Sequence, residues 1–394
     1  MSAAVLRDMR DGGRVRFDVL PPLALYVHLP WCVHKCPYCD FNSHERKGEL
    51  PEQAYLQALM RDLEGLLPSV WGRKLRSIFI GGGTPSLFSA ASIDELLSSI
   101  RARIAVEPDA EVTLEANPGT AEAARFRGYR EAGVNRLSLG VQSFDDASLK
   151  SLERTHSANE ARRAIEMALS VFDNVNIDLM YGLPGQTLAM ARADIEAGFG
   201  AGTQHLSAYQ LTIEPNTVFF AHPPQLPEHD ACADMQVMAE ETLAAAGFEH
   251  YETSAFAKPG HRCRHNINYW EFGDYLGIGA GAHGKLSFAD RVTRHEQVKQ
   301  PREYLAASGP AQQREIGAAD LPFEFMLNAL RLIEGFEARL YHDRTGLPAT
   351  TAATGLGEAA AKGLIDWNEN RIRPTQRGLR FLNDLVGLFV PADK

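Results

Sequence analysis

The chain has 394 residues, 45% hydrophobic and 23% charged, which is enough to build a large core and two or three domains and excludes a disordered polypeptide. A formal net charge of −10 and a sequence pI near 5.7 speak against nucleic acid or an anionic membrane as the main partner, because phosphate recognition needs clustered Lys and Arg. No window approaches the roughly 18 consecutive apolar residues of a membrane span, and five unevenly spaced cysteines form no disulfide framework, so the expectation is a cytoplasmic protein with reduced thiols.

The first twenty residues, "MSAAVLRDMRDGGRVRFDVL", read as a short tail without the apolar segment of a secretory signal. Six strand-length apolar segments follow: "LALYVHL" from Leu23, "LRSIFIG" from Leu75, "EVTLEA" from Glu111, "NRLSLGV" from Asn135, "NVNIDLM" from Asn174 and "HLSAYQL" from His205. Between them lie helix-length stretches at Ala54 to Leu67, Ser92 to Ile104, Ala121 to Ala132, Ala158 to Ser170 and Leu188 to Phe199, with Ser92 and Glu95 spaced as a capping box. Strands alternating with helices imply crossover connections and a parallel sheet.

The unusual residues fall just after these strands: a cysteine loop after the first, then "GGGTP" (81 to 85), "EANPG" (115 to 119), "VQSF" (141 to 144), "YGLPG" (181 to 185) and "TIEPNT" (212 to 217). A site that draws on every strand end at once is most natural on a TIM-like barrel, whose loops converge on one face. The expected fold is therefore α/β, a partial TIM-like (β/α)6 barrel over residues 21–220. Residues 221–312 form a flanking region rich in Gly, His and aromatics. Residues 313–394 turn mainly helical, with a hairpin around Asn368 to Asn370, and suggest a winged-helix-like C-terminal domain. Acids and bases nearly balance there, which favours a packing or partner-binding cap over DNA reading.

"HLPWCVHKCPYCDFNSH" (28 to 44) places Cys32, Cys36 and Cys39 in a C-x3-C-x2-C spacing, one sulfur short of a tetrahedral site. Zinc would have to recruit His28, His34, His44 or Cys263 as a fourth ligand. An iron–sulfur cube held by three thiolates instead leaves one iron open to a small molecule. On spacing alone both stay open.

The triad after the first strand, Tyr38 before its last cysteine and the glycine run after the second strand together resemble the radical SAM superfamily. That resemblance implies a [4Fe-4S] cluster on Cys32, Cys36 and Cys39, Tyr38 beside the adenine of S-adenosylmethionine (SAM), and Gly82, Gly83 and Thr84 along its methionine end. "YVHLPWCVHKCPYCDF", "IFIGGGTPS", "EANPG", "RLSLGVQSF" and "IDLMYGLPGQT" are similar, in order, to the family of oxygen-independent coproporphyrinogen III oxidase and its relatives. By that similarity Tyr26, Glu115, Gln142, Arg154 and Asp178 join the SAM site. Oxidases of the family carry a longer N-terminal segment and a further cysteine two residues after the triad, where this chain has Phe41. "CPYCDFNSH" and the later "HNINYW" resemble instead the heme chaperone branch, the HemW group. This implies a chain that binds heme and passes it to acceptor hemoproteins such as respiratory enzymes at the inner membrane, with monomer or dimer left open; porphyrinogen oxidation is the alternative.

"RCRHNINYW" (262 to 270) suits heme chemically. His265 can ligate iron, Tyr269 and Trp270 can pack on a porphyrin, and Arg262 or Arg264 can pair with propionates. Cys263 is a candidate thiolate ligand, and His283 in "GIGAGAHGK" a second imidazole. The glycines of that segment lack the strand, helix and downstream acid of a dinucleotide fingerprint.

Overall fold

The computed structural model describes residues 13–119, 124–307, 309 and 312–391. The first twelve residues of the expected tail, the start of the expected Ala121 to Ala132 helix and the last three residues of the C-terminal stretch lie outside the described residues. All six expected strands form: β1 (Leu23–Leu29), β2 (Leu75–Gly82), β3 (Val106–Ala116), β4 (Arg136–Gln142), β5 (Val175–Tyr181) and β6 (His205–Gln210). They lie side by side in that order, every neighbouring pair parallel. A seventh parallel strand, β7 (Asp274–Ile278), joins the free side of β1. β8 (His283–Phe288), β9 (Arg291–Glu296) and β10 (Gln312–Ile316) continue antiparallel from it. At the opposite edge the strands Ala255–Ala257 and Glu249–Glu252 add antiparallel to β6. The ladder of twelve strands does not close on itself, so the barrel is partial.

Leu25, Val27 and Leu29 of β1, Ile78 and Ile80 of β2 and Leu137, Leu139 and Val141 of β4 are all fully buried, part of one large core beneath the helices. The helix Ala90–Arg103 turns Ile93, Leu96, Leu97 and Ile100 onto the sheet, the spacing of one apolar face. Its cap corrects the Ser92–Glu95 box. Ser89 is the N-cap, accepting from the Ser92 N–H, while Glu95 accepts from Gln53 across a helix pair. The true capping box is Ser157 with Glu160. The opposite face of β3 to β6 is polar at alternate positions: Glu111, Thr113 and Glu115, then Arg136 and Ser138, Asn176 and Asp178, His205 and Ser207. That polar lining is what a packed structural barrel would lack.

A second core holds the C-terminal region together. Phe325 meets Phe272, Phe336 and Tyr341 edge-on, and helices Leu321–Ala329, Ala338–Thr345 and Ala353–Ala361 pack with a three-stranded sheet. The expected hairpin is present: Ile365–Trp367 pairs antiparallel with Arg371–Pro374, and the Asn368 side chain accepts from the Asn370 and Arg371 N–H groups. Phe17 inserts into this core and the Arg16 N–H donates to the Gly346 carbonyl, so the end of the expected tail is strapped to the C-terminal region. Among the described residues no helix is long and apolar enough to cross a membrane.

Candidate functional site at the carboxyl ends of the strands

The cysteine loop leaves β1 and is fastened on both sides. Trp31–Cys32 pairs with His44–Glu45, and both ring nitrogens of His34 lie 2.9 Å from carboxylates, Glu45 and Glu153. The Gly83 N–H donates to the Leu29 carbonyl and the Thr84 N–H to the Trp31 carbonyl, each at 2.8 Å, so the loop after β2 is zipped along the cysteine loop. This explains the glycines. A Cβ at Gly83 would lie 2.6 Å from the Trp31 carbonyl oxygen, and Gly82 adopts φ +121° with its would-be Cβ 2.6 Å from the His28 ring.

A cavity of about 570 Å³ opens above these loops, within the usual range for small-molecule sites. Its lining brings together Cys32, Cys36, Cys39, Tyr38, Gly82, Gly83, Thr84, Glu115, Gln142, Arg154, Asp178 and Trp270. The three thiols are unbridged and half-buried. Burial pushes the Cys32 thiol up to about 11. Arg154 lies under them: Nη1 is 3.6 Å from Cys36 Sγ, and Nη2 donates to Asn117 Oδ1 and the Gly140 carbonyl, both at 2.7 Å. Its Nε is buried with no partner among the described residues.

The two carboxyls are poised unequally. Asp178 accepts from Ser138 Oγ at 3.1 Å and Asn176 Nδ2 at 2.8 Å, and burial still raises it. Glu115 accepts only from the Gly82 N–H, at 3.1 Å, among the described residues; burial, then the nearby Asp178, push it up to about 7. Gln142, at the end of β4, takes φ +69°, a strained conformation for a side chain of that size, and its Oε1 accepts from the Tyr209 hydroxyl at 2.8 Å.

Not every expected residue arrives here. Tyr26 lies below the cavity, its hydroxyl 2.8 Å from His28 Nδ1 and its ring stacked on Phe79. His265 is buried at the other end of the barrel. Its Nδ1 is 3.0 Å from Ser77 Oγ near the start of β2, its ring packs on Phe79, and burial lowers it to about 3. His265, the expected heme candidate, is buried in this structure and does not line the cavity. Cys263 is fully buried with Sγ 3.4 Å from Glu111, which with burial pushes it up to about 12. Arg262 pairs with Glu249 and Glu334, and Arg264 with Asp109, so neither presents a free cation. Tyr269 packs against Trp270 and Tyr275 outside the cavity lining. His283 is exposed, 3.7 Å from Glu296. The cavity also contains Asn117, Ser138, Tyr209, Glu252 and Arg331, which sequence reasoning did not single out. Asn117 stood within the quoted "EANPG", and Tyr209 within the sixth strand. Glu252 and Arg331 carried no local signal.

The donor set fits an iron–sulfur cube. Among the described residues no three His, Cys, Asp or Glu side chains converge on a single metal ion, whereas tetrahedral zinc would draw its sulfurs to about 3.8 Å of one another. Three thiols on one loop, each serving a separate iron, need less convergence, and the glycine cradle and the half-buried carboxyls of Glu115 and Asp178 line the same cavity.

Residues 26–197 match the Radical SAM superfamily and residues 317–381 the HemN C-terminal domain. A protein named heme chaperone HemW from Escherichia coli (strain K12) is 48% identical over 373 residues, covering 94% of this chain and 99% of its own. The protein of that name from Haemophilus influenzae is 48% identical over 377 residues, covering 94% and 98%, and that from Mycobacterium tuberculosis (strain H37Rv) 35% over 381 residues, covering 93% and 94%. Among solved structures, the coproporphyrinogen III oxidase HemN from Escherichia coli superposes with a TM-score of 0.80 at 22% identity, over 100% of this chain and 94% of the other. That last likeness is one of fold.

Proposed function

The chain belongs to the HemW family within the radical SAM superfamily, and from that premise we propose that it is a heme chaperone, binding heme and transferring it to acceptor hemoproteins. The observation that carries this is identity of 48% running through 94% of the chain, barrel and C-terminal region alike. The acceptors we propose are respiratory enzymes, approached from the cytoplasmic face of the membrane.

The superfamily's cofactors are a [4Fe-4S] cluster and SAM, and a cavity lined by the expected residues supports a site for both. Cys32, Cys36 and Cys39 would hold the cluster. Tyr38, Gly82, Gly83, Thr84, Glu115, Gln142, Arg154 and Asp178 line the space for SAM, with Tyr26 beneath them. Bound there, the cluster would supply one-electron reducing chemistry toward the sulfonium of SAM.

The chain's own groups do the rest. Glu115, kept largely protonated at mildly acidic pH by burial and by Asp178, would release its proton when a cationic ammonium group approaches, so SAM affinity should rise with pH as Glu115 ionises. Arg154 keeps Nε free for a carboxylate while its other nitrogens brace Asn117, the end of β4 and the Cys36 sulfur. Phe41, largely exposed on the cavity rim, is the position that the family resemblance sets apart from the oxidases.

The test is transfer itself. Chain loaded with hemin is mixed with an apo-hemoprotein, and acquisition of the acceptor's absorption spectrum is followed over time. Transfer should be faster and more complete than from an equal concentration of free hemin; no advantage over free hemin would sink the chaperone reading. Anaerobic incubation with SAM, reductant and coproporphyrinogen tests the oxidase alternative in the same preparation, since stoichiometric protoporphyrinogen would establish it.

A further inference from the structure

The cavity at the carboxyl ends of the strands has a part that the SAM residues do not account for. Beyond the cysteine loop and the acids of β3 and β5, its lining runs on to Glu252, Ser254, Asn266, Trp270 and Arg331. Among the described residues Arg331 is the one lining residue that comes after the helix Arg264–Trp270, and it lies within the segment that matches the HemN C-terminal domain.

Backbone bonds bring a side chain of the C-terminal region to a barrel cavity. The strand Glu249–Glu252, at the edge of the sheet, grips residues 331–333. The Thr253 N–H donates to the Arg331 carbonyl and the Ile333 N–H to the Tyr251 carbonyl, each at 3.2 Å, with Glu252 and Leu332 bridged antiparallel between them. Arg331 is thereby held in place before any ligand arrives, which lowers the cost of binding one. Its guanidinium carbon lies over the Trp270 ring, 4.4 Å from the centroid, a cation–π contact with the last residue of the aromatic helix.

The charge of Arg331 is incompletely answered. Its ion-pair partner among the described residues is Glu252, with Nη2 3.6 Å from Oε2, beyond hydrogen-bond reach. Glu252 accepts instead from the Ser254 N–H at 3.1 Å and the Thr253 hydroxyl at 3.2 Å. Arg331 Nε is buried without a partner among the described residues, and so is Trp270 Nε1. Arg154, the other guanidinium of the cavity, keeps different company: Asn117, the Gly140 carbonyl and Cys36 brace it beside the cysteine loop. A planar cation seated on an aromatic ring with donors to spare matches a carboxylate carried on a flat apolar body, because the guanidinium fork fits a carboxylate and the ring packs on the body.

We propose that Arg331 receives a propionate carboxylate of heme and is a specificity residue that the C-terminal region supplies to the barrel. The assignment rests on the heme reading above. It leaves Arg154 to the carboxylate of SAM and gives the cargo a cation of its own beside Trp270.

The experiment compares the binding of hemin and of hemin dimethyl ester, in which both carboxylates are blocked, to the full chain, with SAM affinity and the thermal midpoint measured alongside. The unaltered chain should bind hemin about tenfold more tightly than the ester. Arg331→Met keeps an unbranched side chain over Trp270 without the charge, and its preference should fall to about twofold while SAM affinity stays at the wild-type value. Arg331→Lys keeps the charge without the fork and should retain a preference of about threefold. Each preference is a ratio within one variant, so a general loss of stability does not move it. No preference in the unaltered chain, an undiminished preference in either variant, or a loss of SAM affinity in place of the hemin preference would overturn the assignment and leave the chaperone reading standing. Failure of the unaltered chain to bind hemin at all would overturn both.

Discussion

One strand carries two glutamates with opposite fates, Glu111 buried and Glu115 partly exposed to the cavity. Glu111 and Glu115 sit four residues apart on β3, both facing the barrel interior. Glu111, toward the amino end, is fully employed: it accepts from the backbone N–H groups of Arg264 and His265 and from the Cys263 thiol, capping the helix Arg264–Trp270 from another element. Glu115, at the carboxyl end, has one backbone donor and a neighbouring carboxyl. Chemically identical side chains become a structural cap and a group poised for a ligand. The difference is how many donors the surroundings bring. The amino end of the barrel interior is satisfied and plugged, while the carboxyl end keeps thiols, a strained Gln142 and an under-partnered acid.

The contrast can be broken most completely at the carboxyl end by Cys36→Ser. We expect loss of the cluster, read as iron and sulfide content falling to background after anaerobic reconstitution, with the fold retained because the Cys36 side chain is only half-buried and a hydroxyl keeps a partner for Arg154. At the satisfied end the corresponding break is Asp274→Ala. Asp274, fully buried, accepts from Lys285 Nζ at 2.9 Å and from the Ser287 hydroxyl at 2.8 Å, and forms an ion pair with Arg73 at 2.9 Å. Its loss strands a buried ammonium and should cost about 3–5 kcal/mol in denaturant unfolding.

Glu115→Gln sharpens the comparison through pH. A carboxyl raised from 4.5 to about 7 in the fold leaves the native state holding more protons than the unfolded chain across that interval. Its stabilising contribution is complete below the unfolded value and is lost as pH rises through the folded one, a change on the order of 3 kcal/mol. The thermal midpoint of the SAM-free protein should therefore fall between about pH 5 and pH 8, and fall less in Glu115→Gln; an identical slope would show that Glu115 is not so raised. Smallest is Ser89→Ala, which removes a cap from a helix on the outer face of the sheet. It should cost about 1 kcal/mol and leave cluster content untouched, a baseline for what stability loss alone does.

Legibility in the sequence followed the same division. The six parallel strands could be read because each is a short, nearly continuous apolar run between turn residues. β7 escaped because "DYLGI" lies within a Gly-rich segment and its partner, β1, is far away in the chain. Ser92 was mistaken for a cap because Ser89 and Ser92 both precede an apolar run, and only the backbone shows which hydroxyl accepts. The cysteines, the glycine loop and the acids after the strands could be recognised because their loops converge by topology alone. His265 could not be placed, because composition does not reveal which end of a barrel a helix enters.

By itself the sequence determined the alternation of strand and helix, the convergence of six loops and a triad of thiolates short of one ligand, since these depend on periodicity and local spacing. Only the tertiary structure decided which acids are spent and which are free, that the aromatic helix plugs the barrel, and that Arg331 of the C-terminal region comes to line the cavity. Those outcomes are set by donors and walls supplied from distant parts of the chain, and no local pattern records them.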